Sequence, residues 1–393
     1  MSQVSKRIEA ALTAIVGADR VRTDRVERKL YSSDIGALPR LVKPLMPTGV
    51  AGAVVRPRHE RDIVELVELA AREGIKVVPR GMSTSGYGGV LPTPGALLGL
   101  DLRLYPSSLP SSTVAGWLAQ GGAGFGSYEH GFFKENVTSA RVVLPDGEVL
   151  EFAGADLDRL VADAEGITGV ITEVTIGLRP LEAEVHRVVA FPSATALSLA
   201  LSAMSAERLP IWSLTFLNPE SVRLKKTIPH RHGHPYEMAH PLYEPELPEA
   251  YLVVIAYPES RRGLIDPALA RIASTHGGTE LAPEVAEHEW EQRFAPMRLK
   301  RVGPSIVPTE VIVPLAELDM VLAEIDRKLD QPFVLEGMLG KGDKVVLLGF
   351  IPHDERTLAF NLAFALSLVV IAIAKKHGGG AYSTGLYFRQ EAR

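Results

Sequence analysis

Cysteine is absent from the 393 residues of this sequence. Its absence excludes disulfide bonds, thiolate zinc sites, cysteine nucleophiles and cysteine-ligated iron–sulfur clusters within the chain. A polybasic run is also absent, and 42 Lys and Arg against 47 Asp and Glu leave a formal net charge of −5. Nucleic-acid-binding proteins normally carry a basic patch or stripe, so nucleic acid is not expected as a partner.

Apolar runs of membrane-spanning length are scarce as well. Met1–Val16 carries charged residues and predicts a short amphipathic helix rather than a secretory signal. Leu358–Ala374 is apolar except for Asn361 and Ser367, and it reaches only the lower limit of a membrane span. We interpret this segment as a buried core helix, with a membrane span as the alternative, and we expect a cytoplasmic protein.

Two parts of the chain differ in their pattern of strands and helices. From Ala53 to Gly89 a strand–helix–strand pattern leads into a glycine-rich turn, and Pro145-Asp146-Gly147 predicts a β-hairpin. After Pro180, β-branched strands alternate with helical segments, which predicts an antiparallel or mixed sheet backed by helices. We therefore predict domains at residues 1–180 and 181–373, with a glycine-rich tail at 374–393 that returns to the first domain.

Glycine-rich loops are the sharpest local feature. Pro79–Gly89 combines glycines with Ser and Thr residues, so converging backbone N–H groups and hydroxyls could wrap a phosphate. The segment has neither the Gly-Lys-Ser/Thr end of a P-loop nor a dinucleotide fingerprint. Ser111–Gly116 followed by Gly121–Gly124 is a second segment of this type. A plain glycine-rich loop is the alternative for each, whereas two such loops favour a long phosphorylated cofactor.

Several motifs stand in the order found in one group of flavoproteins. They are Pro79-Arg80-Gly81 with Thr84-Ser85, Ser112–Gly116 with Gly121–Gly124, Val142–Gly147, and Gly166–Glu173. With them the sequence resembles the FAD-linked oxidases of the vanillyl-alcohol oxidase superfamily, most of all the branch of the glycolate oxidase FAD subunit and D-lactate dehydrogenase. The resemblance implies an α+β fold, in which a PCMH-type FAD-binding domain of two subdomains precedes a ferredoxin-like α+β substrate (cap) domain with an antiparallel sheet.

The resemblance also implies FAD as the cofactor and indicates the residues that bind it. The first loop would bind the pyrophosphate, the second would continue along the cofactor, and the strand after Gly169 would lie near the adenine and ribose. The implied FAD-binding residues are Pro79, Arg80, Gly81, Met82, Ser83, Thr84, Ser85, Gly88, Pro106, Ser107, Ser112, Thr113, Gly116, Gly121, Gly122, Gly124, Gly126, Gly166, Gly169, Val170 and Ile171. We expect noncovalent FAD, because the chain has no Cys and the first loop has no His.

Many relatives hold a divalent metal with two His and one Glu, and this sequence departs from that pattern. At the matching positions Met338 replaces one His, the second His is absent, and Thr384 replaces the Glu. These side chains cannot supply the ligands of such a site, so we expect no catalytic metal there. The histidines between Pro229 and His240 could form another metal site, line the substrate cleft, or be solvated loop residues.

Four residues are candidates for catalysis. Trp290 and Arg293 lie in a segment that resembles the border of the flavin's substrate side in relatives, with an ordinary amphipathic helix face as the alternative. Tyr382 and Arg389 lie in the tail that relatives fold against the isoalloxazine. Arg389 could hold a substrate carboxylate through two parallel hydrogen bonds, or it could form a surface salt bridge.

Together these features predict an FAD-linked oxidoreductase that acts on CH–OH groups. It would transfer a hydride from a glycolate- or D-lactate-like hydroxy acid, or a similar alcohol, to flavin N5. Electrons would then pass to an iron–sulfur or electron-transfer subunit or to a quinone, in a complex that could bring the protein to the inner face of the membrane as a peripheral component. The alternatives are an FAD-containing electron-relay subunit without its own substrate, and an aryl-alcohol-type oxidase.

Overall fold

The computed structural model describes residues 4–32, 50–78, 100–109, 112–228, 245–294, 299, 305–354 and 356–382. Several predictions concern residues outside these ranges. They are the phosphate loop at 79–89, with its candidate FAD-binding residues, the histidine-rich segment at 229–240, and Thr384 and Arg389 in the tail.

The chain divides into two compact units. Unit 1 comprises Met1–Leu91, Ser108–Gly122 and Lys134–Gly177, and unit 2 comprises Pro92–Ser107, Ala123–Phe133 and Leu178–Arg393. The final change of unit, at Leu178, lies close to the boundary that we predict at Pro180. Two short segments ahead of that boundary belong to unit 2, and so does the described part of the tail.

The helices and strands are numbered here in chain order. The helices are α1 Lys6–Val16, α2 Arg25–Leu30, α3 Glu60–Glu73, α4 Val114–Ala119, α5 Ser127–His130, α6 Gly154–Asp156, α7 Ala194–Ala206, α8 Pro219–Lys225, α9 Arg262–Thr275, α10 Pro283–Glu291, α11 Leu318–Lys328 and α12 Phe360–Lys376. The strands are β1 Val21–Arg22, β2 Val54–Val55, β3 Leu100–Leu102, β4 Val137–Val143, β5 Val149–Ala153, β6 Val170–Ile176, β7 Leu178–Pro180, β8 Glu184–Phe191, β9 Ser213–Leu217, β10 Tyr251–Pro258, β11 Thr279–Glu280, β12 Ser305–Pro314, β13 Val334–Gly340, β14 Lys344–His353 and β15 Gly380–Ala381.

Unit 1 contains a small antiparallel sheet with the order β5-β4-β6. The turn between β4 and β5 is the predicted Pro145-Asp146-Gly147 hairpin, in which Gly147 has φ +92° and its N–H donates to the Leu144 carbonyl at 3.0 Å. Helix α1 is capped at its N-terminus by the Ser5 hydroxyl, which accepts a hydrogen bond from the Ile8 N–H. Its apolar side packs against α3 in a cluster formed by Ile8, Leu12, Val16, Val21 and Leu69.

Unit 2 is built on an eight-stranded sheet. Its strand order is β11-β8-β10-β9-β13-β14-β12-β15, and every neighbouring pair is antiparallel. The prediction of an antiparallel sheet in the second half of the chain is therefore confirmed. Helices α7, α9, α11 and α12 pack against one another beside this sheet, and the largest fully buried side chains include Trp212, Tyr257 and Phe216.

The apolar segment Leu358–Ala374 forms most of α12, which packs against β12 and α11. Val370, Ile371 and Ala374 are buried, whereas Leu362 is 77% exposed. Within the ranges that the structure describes, no helix is both long and apolar enough to cross a membrane. The interpretation of this segment as a packed helix is therefore confirmed for one of its sides.

Candidate active site

Two glutamates lie in one row across the sheet of unit 2. Glu310 on β12 and Glu336 on β13 are both register partners of Leu348 on the intervening strand β14. Directly opposite residues of an antiparallel pair point to the same face of the sheet. The two carboxyl groups therefore project from one face, on either side of Leu348, from strands about 10 Å apart. We call this face the glutamate face.

Both carboxyl groups are partly buried. Desolvation raises the pKa of Glu310 to about 7, and it raises the pKa of Glu336 to about 7 although the nearby Lys225 ammonium acts in the opposite direction. Within the described part of the chain, neither carboxylate forms a hydrogen bond or an ion pair. A carboxyl group with a pKa near neutrality can accept a proton and release it again, so this face has the chemistry of a general base.

An apolar cluster occupies the next row of the glutamate face. Ile312 and Met338 are both partners of Val346, and with Ala123 these residues form one buried cluster. Met338 is 2% exposed. The position where the resemblance puts a metal-binding His therefore holds a thioether among aliphatic side chains. The absence of a catalytic metal at this position stays a prediction, because the residue matching the Glu ligand lies outside the described ranges.

Tyr382 lies at the edge of the same face. Its backbone N–H donates to the Glu310 carbonyl at 2.9 Å, and its ring packs on the cluster that contains Met338. The Tyr382 hydroxyl accepts the Ala123 N–H at 2.5 Å. The structure thus brings one of the four catalytic candidates beside Glu310, a residue that we did not predict.

Replacing Tyr382 by Phe tests this arrangement. We expect the free energy of unfolding of unit 2 to fall by about 1–3 kcal/mol, because the Ala123 N–H loses its acceptor in a buried position. Chemical denaturation followed by tryptophan fluorescence measures this change. Unchanged stability would contradict the role given to the hydrogen bond, whatever happens to catalysis.

Trp290 and Arg293, two further catalytic candidates, meet in an aromatic cluster of unit 2. The ring centroid of Phe125 is 5.5 Å from that of Trp290 and 5.7 Å from that of Tyr105. The Arg293 guanidinium lies 4.3 Å from the Trp290 centroid, and its Nη1 donates to the Trp290 carbonyl at 2.7 Å. Trp290 is buried. These contacts stabilise the end of α10 by stacking and cation–π attraction, and a role in catalysis stays a prediction.

Several glycines predicted to bind FAD are required by close packing of the chain itself. A Cβ on Gly124 would lie 2.2 Å from the Tyr105 carbonyl oxygen, and one on Gly126 would lie 2.3 Å from the Arg103 carbonyl oxygen. In unit 1, a Cβ on Gly122 would overlap the Trp117 indole, and one on Gly169 would lie 2.4 Å from a carbonyl oxygen of β4. Gly121 and Gly166 have positive φ. These local reasons neither require nor exclude contact with a cofactor.

Among the remaining described candidates, Ser107, Ser112 and Thr113 carry hydroxyl groups that suit an anionic part of FAD. Thr113 is the N-cap of α4 and accepts the Gly116 N–H at 3.1 Å, and the Ser108 and Ser112 hydroxyl oxygens are 2.6 Å apart. No acidic residue occurs between Pro106 and Gly116, where Ser107 also stands. Val170 and Ile171 open β6 as partly buried residues. Hydroxyl and N–H donors without a carboxylate fit an anionic cofactor group.

Within the described ranges, no group of three or more His, Asp or Glu side chains is placed to hold a metal ion. The two glutamates of the glutamate face were missed in the sequence because their partnership depends on strand register. For Glu310, the signal that could have been used is that it is the one acidic residue among the mostly apolar residues 305–314 of β12.

Two family profiles match the chain. The profile described as FAD binding domain matches residues 95–153. The profile described as FAD linked oxidases, C-terminal domain, matches residues 181–379, which is just over half of the chain.

Curated relatives include three enzymes that are about a quarter identical to the chain over the aligned residues. The mitochondrial D-lactate dehydrogenase [cytochrome] of Arabidopsis thaliana is 24% identical over 410 residues, covering 90% of this chain and 68% of the relative. Glycolate oxidase subunit GlcD of Bacillus subtilis is 25% identical, covering 45% of this chain and 46% of the relative. Alkyldihydroxyacetonephosphate synthase of Trypanosoma brucei brucei is 26% identical, covering 43% and 36%.

Solved structures share the fold at lower identity. An alkyldihydroxyacetonephosphate synthase structure aligns with a TM-score of 0.73 and 17% identity, covering 96% of this chain and 81% of that one. A structure of p-cresol methylhydroxylase with substrate bound aligns with a TM-score of 0.72 and 13% identity, covering 98% and 91%. The predicted α+β fold of the PCMH type is thereby confirmed.

Proposed function

Because the chain belongs to the family of FAD-linked oxidases, whose C-terminal domain it contains, we propose that it oxidises a CH–OH group of a small molecule. Its cofactor is FAD and its class is oxidoreductase. The substrate that we propose is a hydroxy acid such as glycolate or D-lactate, or a similar alcohol. The names of the plant dehydrogenase and the bacterial glycolate oxidase subunit support this choice.

The observation that carries the proposal is the glutamate face. When bound, FAD supplies the acceptor for the hydride. An alcohol must also lose its hydroxyl proton, and a carboxylate whose pKa is about 7 is suited to accept it. The cluster around Met338 provides an apolar surface beside that carboxylate, which favours exclusion of water from a reacting group.

The experiment is an anaerobic titration of the purified flavoprotein. We expect a flavin absorbance that is lost on denaturation and filtration, as noncovalent FAD requires, and bleaching by glycolate or D-lactate. L-Lactate is the matched control for stereochemistry, and dithionite is the control for a reducible flavin. Full reduction by dithionite without bleaching by any alcohol would contradict the proposal and favour an electron-relay subunit.

An aryl alcohol is the second candidate substrate, and the composition of the glutamate face favours it. Leu348 and the Tyr382 ring, which are partly buried beside the Met338 cluster, are apolar groups that would pack well against a benzyl or phenol ring. Bleaching of the flavin by an aryl alcohol, with peroxide formed in air and no reaction with hydroxy acids, would identify this class. Bleaching by a hydroxy acid, with electrons passed to an iron–sulfur protein or a quinone analogue, would identify the first.

A further inference from the structure

We propose that Glu310 is the catalytic base, which takes the hydroxyl proton of the substrate while the carbon of the same C–OH group loses its hydride. This inference rests on the proposed function, since it names the group that performs one half of that reaction.

The surroundings of Glu310 make its charged form unfavourable, so this carboxylate does not contribute to the stability of the fold. Its neighbours on the glutamate face are Leu348 in the same row and Ile312 in the next, and none of the described cations pairs with its carboxylate. A partly buried carboxylate without a partner destabilises the fold. A strand selected for stability alone would carry an apolar or hydroxyl side chain here, and such local violations are expected at functional sites.

Glu336 occupies the mirror position in the row, yet its surroundings differ. Lys225, at the end of α8, faces Glu336 and forms an ion pair with Glu289 of α10 at 2.5 Å. The Lys225 ammonium therefore offsets part of the cost of ionising Glu336, although burial still raises the pKa of this carboxyl group to about 7. Glu310 has no such cation within the described residues. Its carboxylate is therefore neutralised by taking up a proton, and a readiness to take up a proton is what a general base requires.

Tyr382 lies directly beside Glu310 at the edge of the glutamate face. Backbone pairing of β15 with β12 places the two residues next to each other, through the 2.9 Å bond from the Tyr382 N–H to the Glu310 carbonyl. The phenol hydroxyl accepts from Ala123, and the tyrosine ring covers the apolar cluster beside the carboxylate. The titratable and charged groups that face this row from the described elements are Tyr382 on β15 and Lys225 on α8.

The chemistry balances without a metal. The substrate O–H bond breaks and its proton goes to a carboxylate oxygen of Glu310. The C–H bond breaks and its electron pair leaves with the hydrogen as a hydride, for which bound FAD would be the acceptor, and the electron pair of the broken O–H bond forms the second bond of the product C=O group. Glu310 then releases the proton to solvent, which its pKa of about 7 allows at neutral pH.

The test compares three variants: Glu310→Gln, Glu336→Gln and, as a matched surface control, Glu259→Gln. Glu259 is an exposed residue next to α9. We measure anaerobic flavin reduction by the substrate in single-turnover mode between pH 5 and pH 9. Glu310→Gln is expected to lower the rate about 10²–10⁴-fold and to remove the ionisation near pH 7 from the profile. Glu259→Gln is expected to leave both unchanged, and Glu336→Gln is expected to keep the ionisation.

A second readout does not depend on turnover. Carbon-13 NMR of glutamate-labelled protein is expected to show a carboxyl resonance that titrates near pH 7 and is missing in Glu310→Gln. Flavin absorbance and circular dichroism establish that the variant is folded and loaded. A Glu310→Gln rate within a few-fold of wild type would overturn this inference alone. A wild-type flavin that no alcohol reduces would overturn the proposed function as well, even where the carboxyl resonance titrates as expected.

Discussion

Alanine at position 124 is expected to lower the free energy of unfolding of unit 2 by about 3 kcal/mol or more. The added Cβ would lie 2.2 Å from the Tyr105 carbonyl oxygen and 2.7 Å from its carbonyl carbon, which are backbone atoms that cannot rotate away. Overpacking against fixed atoms costs about 1–3 kcal/mol when the surroundings relax, and more when they do not. The Tyr105–Phe125 bridge, with N–H to carbonyl distances of 3.0 and 2.8 Å, would have to open.

Gly263→Ala is the matched control, because an added Cβ there meets no atom within 4 Å and the residue lies in α9. We expect this variant to be unchanged or slightly more stable, as alanine is favoured over glycine in helices. Denaturant titration with fluorescence detection suits both, since Trp212 and Trp290 lie in unit 2. Equal stability of Gly124→Ala and wild type would contradict the packing role of this glycine and leave cofactor contact as its remaining explanation.

The free energy of unfolding of unit 2 is expected to fall as the pH rises from 4.5 to 7, because the two glutamates of the glutamate face ionise in this range. Their pKa rises from 4.5 in the unfolded chain to about 7 in the fold. A raised carboxyl pKa means that the folded state binds protons more tightly, so its contribution is fully present below pH 4.5 and is lost as the pH rises through 7. At about 1.4 kcal/mol per pKa unit, each group accounts for about 3 kcal/mol at most.

The double variant Glu310→Gln/Glu336→Gln isolates this effect. Glutamine resembles the protonated carboxyl group, so wild type and variant are expected to have similar stability at pH 4.5. At pH 8 the variant is expected to be more stable by several kcal/mol, and Glu259→Gln is the surface control. Denaturation curves that run parallel for wild type and variant across this pH range would show that the carboxyl groups titrate normally.

The pattern of hydrophobic residues predicts most strands and helices of unit 2. This pattern predicts a helix at 194–206 and strands at 185–191, 212–217 and 251–257, and α7, β8, β9 and β10 agree with these bounds to within about two residues. Strand β12 extends through Pro308, a residue type that usually interrupts a strand. The Glu310 carbonyl accepts a hydrogen bond from Tyr382, which follows β15. The backbone groups of residues two apart on a strand point to the same neighbouring strand, so the Pro308 nitrogen also points to the β15 side of β12. Strand β15 pairs only with Val311 and Ile312, so the proline displaces no described ladder hydrogen bond.

The sequence predicts Tyr382 as part of the candidate site but does not predict Glu310 or Glu336. Motif order indicated the flavin and the tail containing Tyr382, because these features are local. The glutamate row joins residues far apart in the chain through the register of three strands, and register follows from the packed sheet rather than from any one segment. The segment containing Glu336 and Met338 matches the position of a metal-binding motif in relatives and shows no alternating pattern, so the sequence does not predict the buried strand β13 there.

The central claim is that this FAD-linked oxidoreductase oxidises an alcohol with a carboxylate base and without a catalytic metal. Its most direct test is anaerobic flavin reduction by the substrate after exhaustive treatment with a chelator, with the metal content measured on the same sample. We predict that the metal-free protein retains FAD and that its flavin is bleached at the untreated rate. Bleaching that stops after chelation and returns on addition of Zn²⁺ or Mn²⁺ would contradict the account.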